Sequence, residues 1–189
     1  MATVERPTIE WLNHAAAVGV EGITRAVLDA CARHGGLRSP HPQGLLVPEP
    51  AGGWANPRLL GWVHEWSASG SDRTRRGAYY TPPDFAASVV QRALDGMAGT
   101  PRFVVDPAAG GGVFLLEVLD QLVAQGVDPS DCTDRIAGIE IDSGAAAVTR
   151  RAVEAWQLFH GVANGPMVRV AVIDSLDQWP SAWPEPQLV

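Results

Sequence analysis

The sequence DPAAGGG, residues 106–112, lies between two apolar runs at 103–105 and 113–116. Glycine loses more conformational freedom on folding than any other residue, so three in succession between buried segments require a reason. In open α/β sheets, ligands bind beyond the carboxyl ends of the strands, where the first amides of the next helix are free to donate. The stretch therefore predicts a strand, a turn that a ligand approaches closely, and a helix. From the pattern alone, a tight turn that binds nothing is an equal alternative.

Strand and helix patterns alternate from this stretch onward. The apolar run at 102–106 does not alternate with polar residues, which is typical of a parallel strand buried on both faces, and two further strands are predicted at 135–142 and 167–175. A helix is predicted to begin near Thr81, which can cap it. The predicted inward-facing helix residues are Phe85, Val89, Val90, Ala93, Leu94, Met97, Leu115, Val118, Leu119, Leu122, Val148, Ala152, Val153, Trp156 and Phe159. The fold class is therefore α/β, built from parallel βαβ units.

The N-terminal part has a different pattern. Residues 8–34 predict a helix with Val20, Ile23, Val27 and Cys31 on one face, and two glycines end it. Residues 37–57 are rich in proline and glycine and predict a loop, and a short helix is predicted at 57–67. We therefore expect two parts: a helical segment with its loop at 1–70, and an α/β domain at 71–189.

Composition excludes several classes of protein. Apolar residues make up 46% of the 189, yet no run approaches the roughly 20 residues of a membrane span, and the N-terminus does not resemble a signal peptide. Cys31 and Cys132 lie far apart without metal spacing, which favours reduced, buried thiols in a cytoplasmic protein. The five histidines show no metal spacing either, so no metal is predicted. The net charge of −7 does not favour nucleic acid, apart from a local group of three arginines at 73–76.

The residues at the strand ends narrow the choice of ligand. The dinucleotide pattern GxGxxG fails because Leu115 occupies its third glycine position, and a chain without lysine has no GxxxxGK[ST] phosphate loop. Glu140 ends the second predicted strand, where a carboxylate can accept from ribose hydroxyls, and Asp142 is expected to cap the following helix. Asp174 ends the third strand and could accept from an adenine amino group. These features favour an adenosine-containing ligand that needs no phosphate pocket, with S-adenosylmethionine as the candidate.

Four motifs in register carry a resemblance to a family. GAYYTPPDFA, DPAAGGGVFL, GIEID and VIDSL, in this order, resemble the amino-methylating DNA methyltransferases. More narrowly, they resemble the adenine-N6 class of restriction–modification and phage-defence systems, over residues 73 to about 177. The resemblance implies a Rossmann-like S-adenosylmethionine-dependent methyltransferase fold, of which residues 71–189 would form the first half of a mainly parallel sheet.

The resemblance also implies a set of cofactor-binding residues: Tyr80, Thr81, Asp106, Pro107, Ala108, Gly110, Gly112, Glu140, Ile141, Asp174 and Ser175. Thr81 and the turn at 106–112 would hold the methionine end of the cofactor. Glu140 would take the ribose hydroxyls, Ile141 would lie against the adenine ring, and Asp174 would accept from its amino group. The three basic residues before the first motif could contact DNA, although a solvated basic loop is an equal alternative; they are Arg73, Arg75 and Arg76.

The sequence departs from the family pattern in two places. Gly111 stands where serine or threonine is common, which costs at most a hydroxyl contact. The catalytic motif Asn-Pro-Pro-aromatic, which in this family grips the target amino group and stacks on the flipped base, is absent. Residues 186–189 resemble the opening of the fourth strand, after which that motif would follow. We therefore expect no catalytic residue in this chain and no methyl transfer by the 189 residues alone.

Three hypotheses follow. The chain is the N-terminal piece of a DNA adenine-N6 methyltransferase, or a natural short protein that binds the cofactor or a partner subunit without catalysis. Alternatively, it belongs to a related methyltransferase that acts on a protein glutamine amide or on RNA; the first motif and the arginines favour DNA. The family strand order is third, second, first, fourth, so the strand at 102–106 would lack its outer neighbour. An exposed apolar edge of that kind predicts self-association or a partner subunit.

Overall fold

The structure, a computed structural model, describes residues 6–38, 47–67 and 81–187. Three strands are β1 (Val104–Asp106), β2 (Ile136–Ile139) and β3 (Arg169–Ala171). The helices are α1 (Ile9–Val18), α2 (Val20–His34), α3 (Leu59–Ser67), α4 (Pro83–Asp95), α5 (Val113–Ala124), α6 (Pro129–Cys132) and α7 (Ser143–Phe159). A 3₁₀ turn at Thr133–Arg135 leads into β2.

The three strands form a parallel sheet in the order β1-β2-β3. Val105 pairs with Ala137, and Gly138 pairs with Val170, so β2 lies in the middle of these strands. The prediction of an α/β fold with parallel βαβ units is confirmed. The third strand is shorter than the predicted 167–175, because Asp174 forms a turn: its Oδ1 accepts from the Leu176 amide and its carbonyl from the Gln178 amide.

The two faces of the sheet are covered differently. On one face, α5 and α7 pack against the strands and join a large core that continues into α1, α2 and α3. On the other face, a small cluster of Phe103, Val105, Ala137 and Ile139 is covered by side chains of the segment after β3, namely Ile173 and Trp183. Both faces are therefore buried, as the unbroken apolar run at 102–106 predicted.

The predicted helix at 8–34 is two helices. Gly19 has a φ of 85°, a conformation that favours glycine, and it separates α1 from α2. The predicted apolar face of α2 is confirmed, since Ile23, Val27 and Cys31 are fully buried and α2 packs along α7. The thiols of Cys31 and Cys132 are buried and free, as predicted.

The start of α4 differs from the prediction. Pro82, not Thr81, is the N-cap residue, and no side chain caps the helix. Phe85 and Val89 were predicted to face inward but are 59% and 40% exposed. The buried residues of α4 are Ala86, Val90 and Leu94, which lie about 100° further round the helix and face α5. The helical period was correct, and Val90 and Leu94 are buried as predicted, whereas Phe85 and Val89 are not.

The N-terminal helices share a core with the α/β part. Both α2 and α3 pack against α7, and their buried side chains belong to the same cluster as those of α5 and the strands. The boundary that we predicted at 70/71 lies within 68–80, outside the described residues. The division into two domains therefore stays a prediction.

Candidate cofactor-binding site

The glycine loop between β1 and α5 needs two of its glycines for backbone conformation. Gly110 and Gly112 have φ angles of 51° and 85°, a region that side chains other than glycine rarely adopt. Gly112 is also the N-cap residue of α5, and a Cβ on it would lie 3.2 Å from Cγ2 of Thr149. Thr149 in turn donates its hydroxyl to the Gly110 carbonyl at 2.6 Å, so α7 holds the loop from one side.

Gly111 is required for a different reason. A Cβ on Gly111 would lie 2.7 Å from the Cα of Gly61 in α3, closer than real contacts allow. The sequence suggested that this glycine row admits a ligand, but at position 111 the close neighbour is another part of the same chain. The same contact explains why serine or threonine is absent there.

Glu140 lies directly after β2 and bonds to both neighbouring turns. Its Oε2 accepts from the Gly110 amide at 2.8 Å, and its Oε1 accepts from the Asp142 amide at 2.8 Å. A carboxylate offers about four acceptor positions, so roughly two stay open for a ligand. Asp142 caps α7 through the Ala145 amide, as predicted, at 2.9 Å.

Asp106 ends β1 at the same edge. Its Oδ1 accepts from the Ala108 amide at 3.0 Å, while Oδ2 is buried without a hydrogen-bond partner among the described residues. Burial raises the pKa of this carboxyl to about 6, which the Ala108 hydrogen bond partly opposes and the nearby charge of Glu140 reinforces. A buried acceptor without a donor is costly, so this position suits a ligand that brings a donor or a positive charge.

The residues that the resemblance assigns to the adenine ring follow β2 and β3 in the chain. Ile141 is 68% exposed beside Glu140. Asp174 and Ser175 are half-buried, and Asp174 uses one carboxylate oxygen for the Leu176 amide. Val172 and Leu176 are also exposed. Exposed apolar side chains and a carboxylate therefore occur together at one edge, a surface that suits a flat apolar ring with an amino group.

Thr81 is half-buried and lines a cleft between α3 and the start of α5. The residues around this cleft are Arg58, Gly61, Trp62, Glu65, Thr81, Gly111, Val113 and Leu116. The structure thus brings Thr81 to the glycine loop, as the resemblance implied. Of the other predicted residues, Pro107 is half-buried in the turn after β1, and four lie outside the described part of the chain; they are Tyr80, Arg73, Arg75 and Arg76.

Sequence reasoning missed the contribution of α3 to this edge. The signal was Gly61, a single glycine inside an otherwise helical pattern, which costs about 1 kcal/mol relative to alanine and so requires a packing reason. In the structure, that reason is the contact with Gly111. Arg58, one residue before α3, was missed as well because its partners, Glu117 and Asp120, lie about sixty positions away.

Within residues 6–38, 47–67 and 81–187, no group of three or more His, Cys, Asp or Glu side chains is arranged to hold a metal ion. No helix in these ranges combines the length and the apolar character that crossing a membrane requires.

No curated protein matches the sequence. The model of one family, N-6 DNA Methylase, matches residues 58–178, which is more than half of the chain and runs from the start of α3 past the end of β3. The chain therefore belongs to the N-6 DNA methylase family.

Proposed function

We propose that this chain binds S-adenosylmethionine at the carboxyl edge of β1, β2 and β3, as the cofactor-binding part of a site-specific DNA adenine-N6 methyltransferase. Membership of the N-6 DNA methylase family supports DNA methylation in general. The observation that carries the cofactor assignment is the pair of carboxylates at this edge. Asp106 has a buried oxygen without a described donor, and Glu140 keeps open acceptor positions.

The two carboxylates suit different groups of the cofactor. S-adenosylmethionine supplies an electrophilic methyl group on a sulfonium ion, and it also carries an ammonium group and ribose hydroxyls. In this proposal Oδ2 of Asp106, which is buried without a described donor, accepts from the ammonium group, since burial strengthens the attraction between opposite charges. In the same proposal Glu140 accepts from the ribose hydroxyls, Ile141 lies against the adenine ring, and Asp174 accepts from its amino group.

These residues bind and orient, and they do not by themselves hold a methyl acceptor. Transfer requires the acceptor nitrogen to be held in line with the methyl group, and a base in duplex DNA must first be flipped out. The sequence contains no Asn-Pro-Pro-aromatic motif for that task. We therefore assign cofactor binding to these 189 residues. We assign DNA binding, and a role in restriction–modification or phage defence, to the proposed complete enzyme.

A titration of the purified chain tests the cofactor assignment. Calorimetry with S-adenosylmethionine is expected to show binding, and NAD, which shares the adenosine but adds a pyrophosphate, is expected to show none. Binding of NAD without a response to S-adenosylmethionine would contradict the assignment.

An assay of methyl transfer tests whether these 189 residues bind the cofactor without transferring its methyl group. The chain is incubated with DNA and cofactor labelled in its methyl group, and no label is expected in the DNA. Label in the DNA would show that these residues also hold the acceptor, which contradicts our assignment. A non-catalytic cofactor-binding subunit gives the same two results as the fragment of an enzyme. An Asn-Pro-Pro-aromatic motif in the reading frame beyond Val189 would identify the fragment.

A further inference from the structure

We propose that α3 is a positioning element of the cofactor site, and that Gly61 sets the position of the glycine loop through a backbone contact with Gly111. This inference rests on the proposed function, because it assigns a role in cofactor binding to a helix outside the four motifs. Gly61 does not touch the cofactor in this proposal; it acts through the loop at 110–112.

The contact is close in both directions. A Cβ on Gly111 would lie 2.7 Å from the Cα of Gly61, and a Cβ on Gly61 would lie 3.1 Å from the carbonyl oxygen of Gly111. Both neighbours are backbone atoms, which cannot rotate away as the end of a side chain can. A methyl group at position 61 would therefore have to displace either α3 or the loop.

Buried ion pairs hold α3 in place. Nη2 of Arg58 lies 3.1 Å from Glu117 and 2.8 Å from Asp120, both on α5, and the Arg58 side chain is only 9% exposed. Asp120 also accepts from the indole nitrogen of Trp156 on α7, at 2.7 Å. Since a buried charge that loses its partner is strongly destabilising, α3 cannot easily move away from α5. The loop is therefore the part that must give.

A second contact places α3 over the neighbouring turn. A Cβ on Gly144, at the start of α7, would lie 3.6 Å from Cε1 of His64 in α3. Thus α3 lies against the loop that contains Gly110 and also against the start of α7, just after Glu140. Because the Gly110 amide donates to Glu140, displacement of the loop would also disturb the Glu140 carboxylate, which we assign to cofactor binding.

The substitution Gly61→Ala separates this role from general stability. Alanine favours a helix more than glycine does, so helix propensity alone predicts a more stable protein. The contact with Gly111 predicts that the same substitution displaces and destabilises the loop at 110–112. Gly96→Ala is the matched control, because φ at Gly96 is −76° and a Cβ there would make only an ordinary contact of 3.6 Å with Ala93.

The readouts are hydrogen exchange of the loop and affinity for S-adenosylmethionine. The amides of Gly110 and Gly112 donate to Glu140 and Ala109, so they are expected to be protected in the wild-type chain. In Gly61→Ala, both amides should exchange at least about tenfold faster and the cofactor should bind about tenfold more weakly, the equivalent of one lost charge-assisted hydrogen bond. Gly96→Ala should behave as the wild type in both measurements.

Unchanged exchange at Gly110 and Gly112 in a folded Gly61→Ala chain would overturn the inference and leave the proposed function intact. Conversely, a wild-type chain that does not bind S-adenosylmethionine would overturn the proposed function, and with it the cofactor role of α3, whatever the exchange shows. If Gly61→Ala does not fold, exchange of the wild-type chain in rising denaturant decides. The loop and α3 are expected to open together, and a loop that stays protected after α3 has exchanged would overturn the inference.

Discussion

The amide nitrogen of Gly110 lies 2.8 Å from Oε2 of Glu140, so a charge-assisted hydrogen bond joins the turn after β1 to the end of β2. Such bonds are roughly twice as strong as neutral ones. One side chain therefore has two tasks in the proposed site: it shapes the glycine loop, and it offers its remaining acceptor positions to the ribose. The two tasks lead to a first prediction.

Replacement of Glu140 should weaken cofactor binding and loosen the loop together. We expect Glu140→Ala to lower the affinity for S-adenosylmethionine by about 1–3 kcal/mol, because the hydroxyls and the Gly110 amide lose a charged acceptor. Glu140→Gln should have a smaller effect, since one carbonyl oxygen stays. Glu154→Ala on α7 is the control, because it removes the same charge from a side chain that pairs with Arg151. Equal affinities for Glu140→Ala and the wild type, measured by calorimetry, would refute the assignment.

Asp106 should lower the free energy of unfolding at neutral pH while it strengthens the binding of S-adenosylmethionine. Its folded pKa of about 6 lies above the ordinary 3.8, so the folded state binds the proton more tightly than the unfolded state. The free energy of unfolding should therefore fall as pH rises from about 4 to 6. Asp106→Asn removes this dependence and should be more stable above pH 6, by up to about 3 kcal/mol. It should also bind S-adenosylmethionine more weakly, since the ammonium group loses its anion.

Denaturant unfolding at several pH values checks this prediction. Asp177→Asn is the control, because Asp177 is exposed and lies after β3. A difference between Asp106→Asn and the wild type that does not change between pH 4 and pH 7 would show that the Asp106 carboxyl is not held in its neutral form by burial.

A histidine at the contact of α2 and α7 should make the fold sensitive to acid. The centroids of the His160 and Trp156 rings lie 4.2 Å apart. The neighbouring Phe159 ring stacks on the His34 ring, with 3.9 Å between their centroids. Burial lowers the pKa of His160; the charge of Asp120 opposes this and that of His34 adds to it. The unfolded state then binds the proton more readily, so this stabilising contribution is present above about pH 6.5 and is lost as pH falls through the lowered folded pKa.

The variant His160→Gln tests this sensitivity. Its unfolding midpoint should depend less on pH between 7 and 5 than that of the wild type. His14→Gln supplies the comparison, since His14 is exposed on α1. If both variants keep the full pH dependence of the wild-type chain, another group is responsible.

The sequence predicted the strands and the site edge better than the lead-in helices. Apolar runs and a carboxylate at each strand end are local signals, and they were sufficient to predict three parallel strands with Asp106, Glu140 and Asp174 at one edge. The break at Gly19 was missed because a lone glycine inside a helical pattern does not by itself show that the helix ends there. The exposure of Phe85 and Val89 was missed because the buried face of α4 is set by packing against α5. The contact of Gly61 with Gly111 joins residues fifty positions apart, and no local pattern reports such a distance.

The segment around Trp183 and Gln187 contacts the edge of the sheet that we predicted to be exposed. The amide of Gln187 donates to the carbonyl of Phe103 at 2.9 Å, just before β1, and β1 is an edge strand of the sheet among the described residues. The Trp183 ring lies at 80° to the Phe103 ring, with 6.3 Å between their centroids. This segment therefore contacts the chain just before β1 through Gln187 and covers the second face of the sheet through Trp183.

We expect the 189-residue chain to self-associate, and Trp183→Ala to associate more strongly. Removing the indole would uncover the apolar cluster around Phe103 and Val105, and exposed apolar surface beside an open strand edge favours association. Trp179→Ala is the matched control, because Trp179 lies in the same segment but is already 42% exposed. Light scattering over a range of concentrations gives the mass, and near-ultraviolet circular dichroism shows that each variant is folded. A folded, monomeric Trp183→Ala chain, no heavier than the wild type or the Trp179 variant, would show that this face and edge do not drive association.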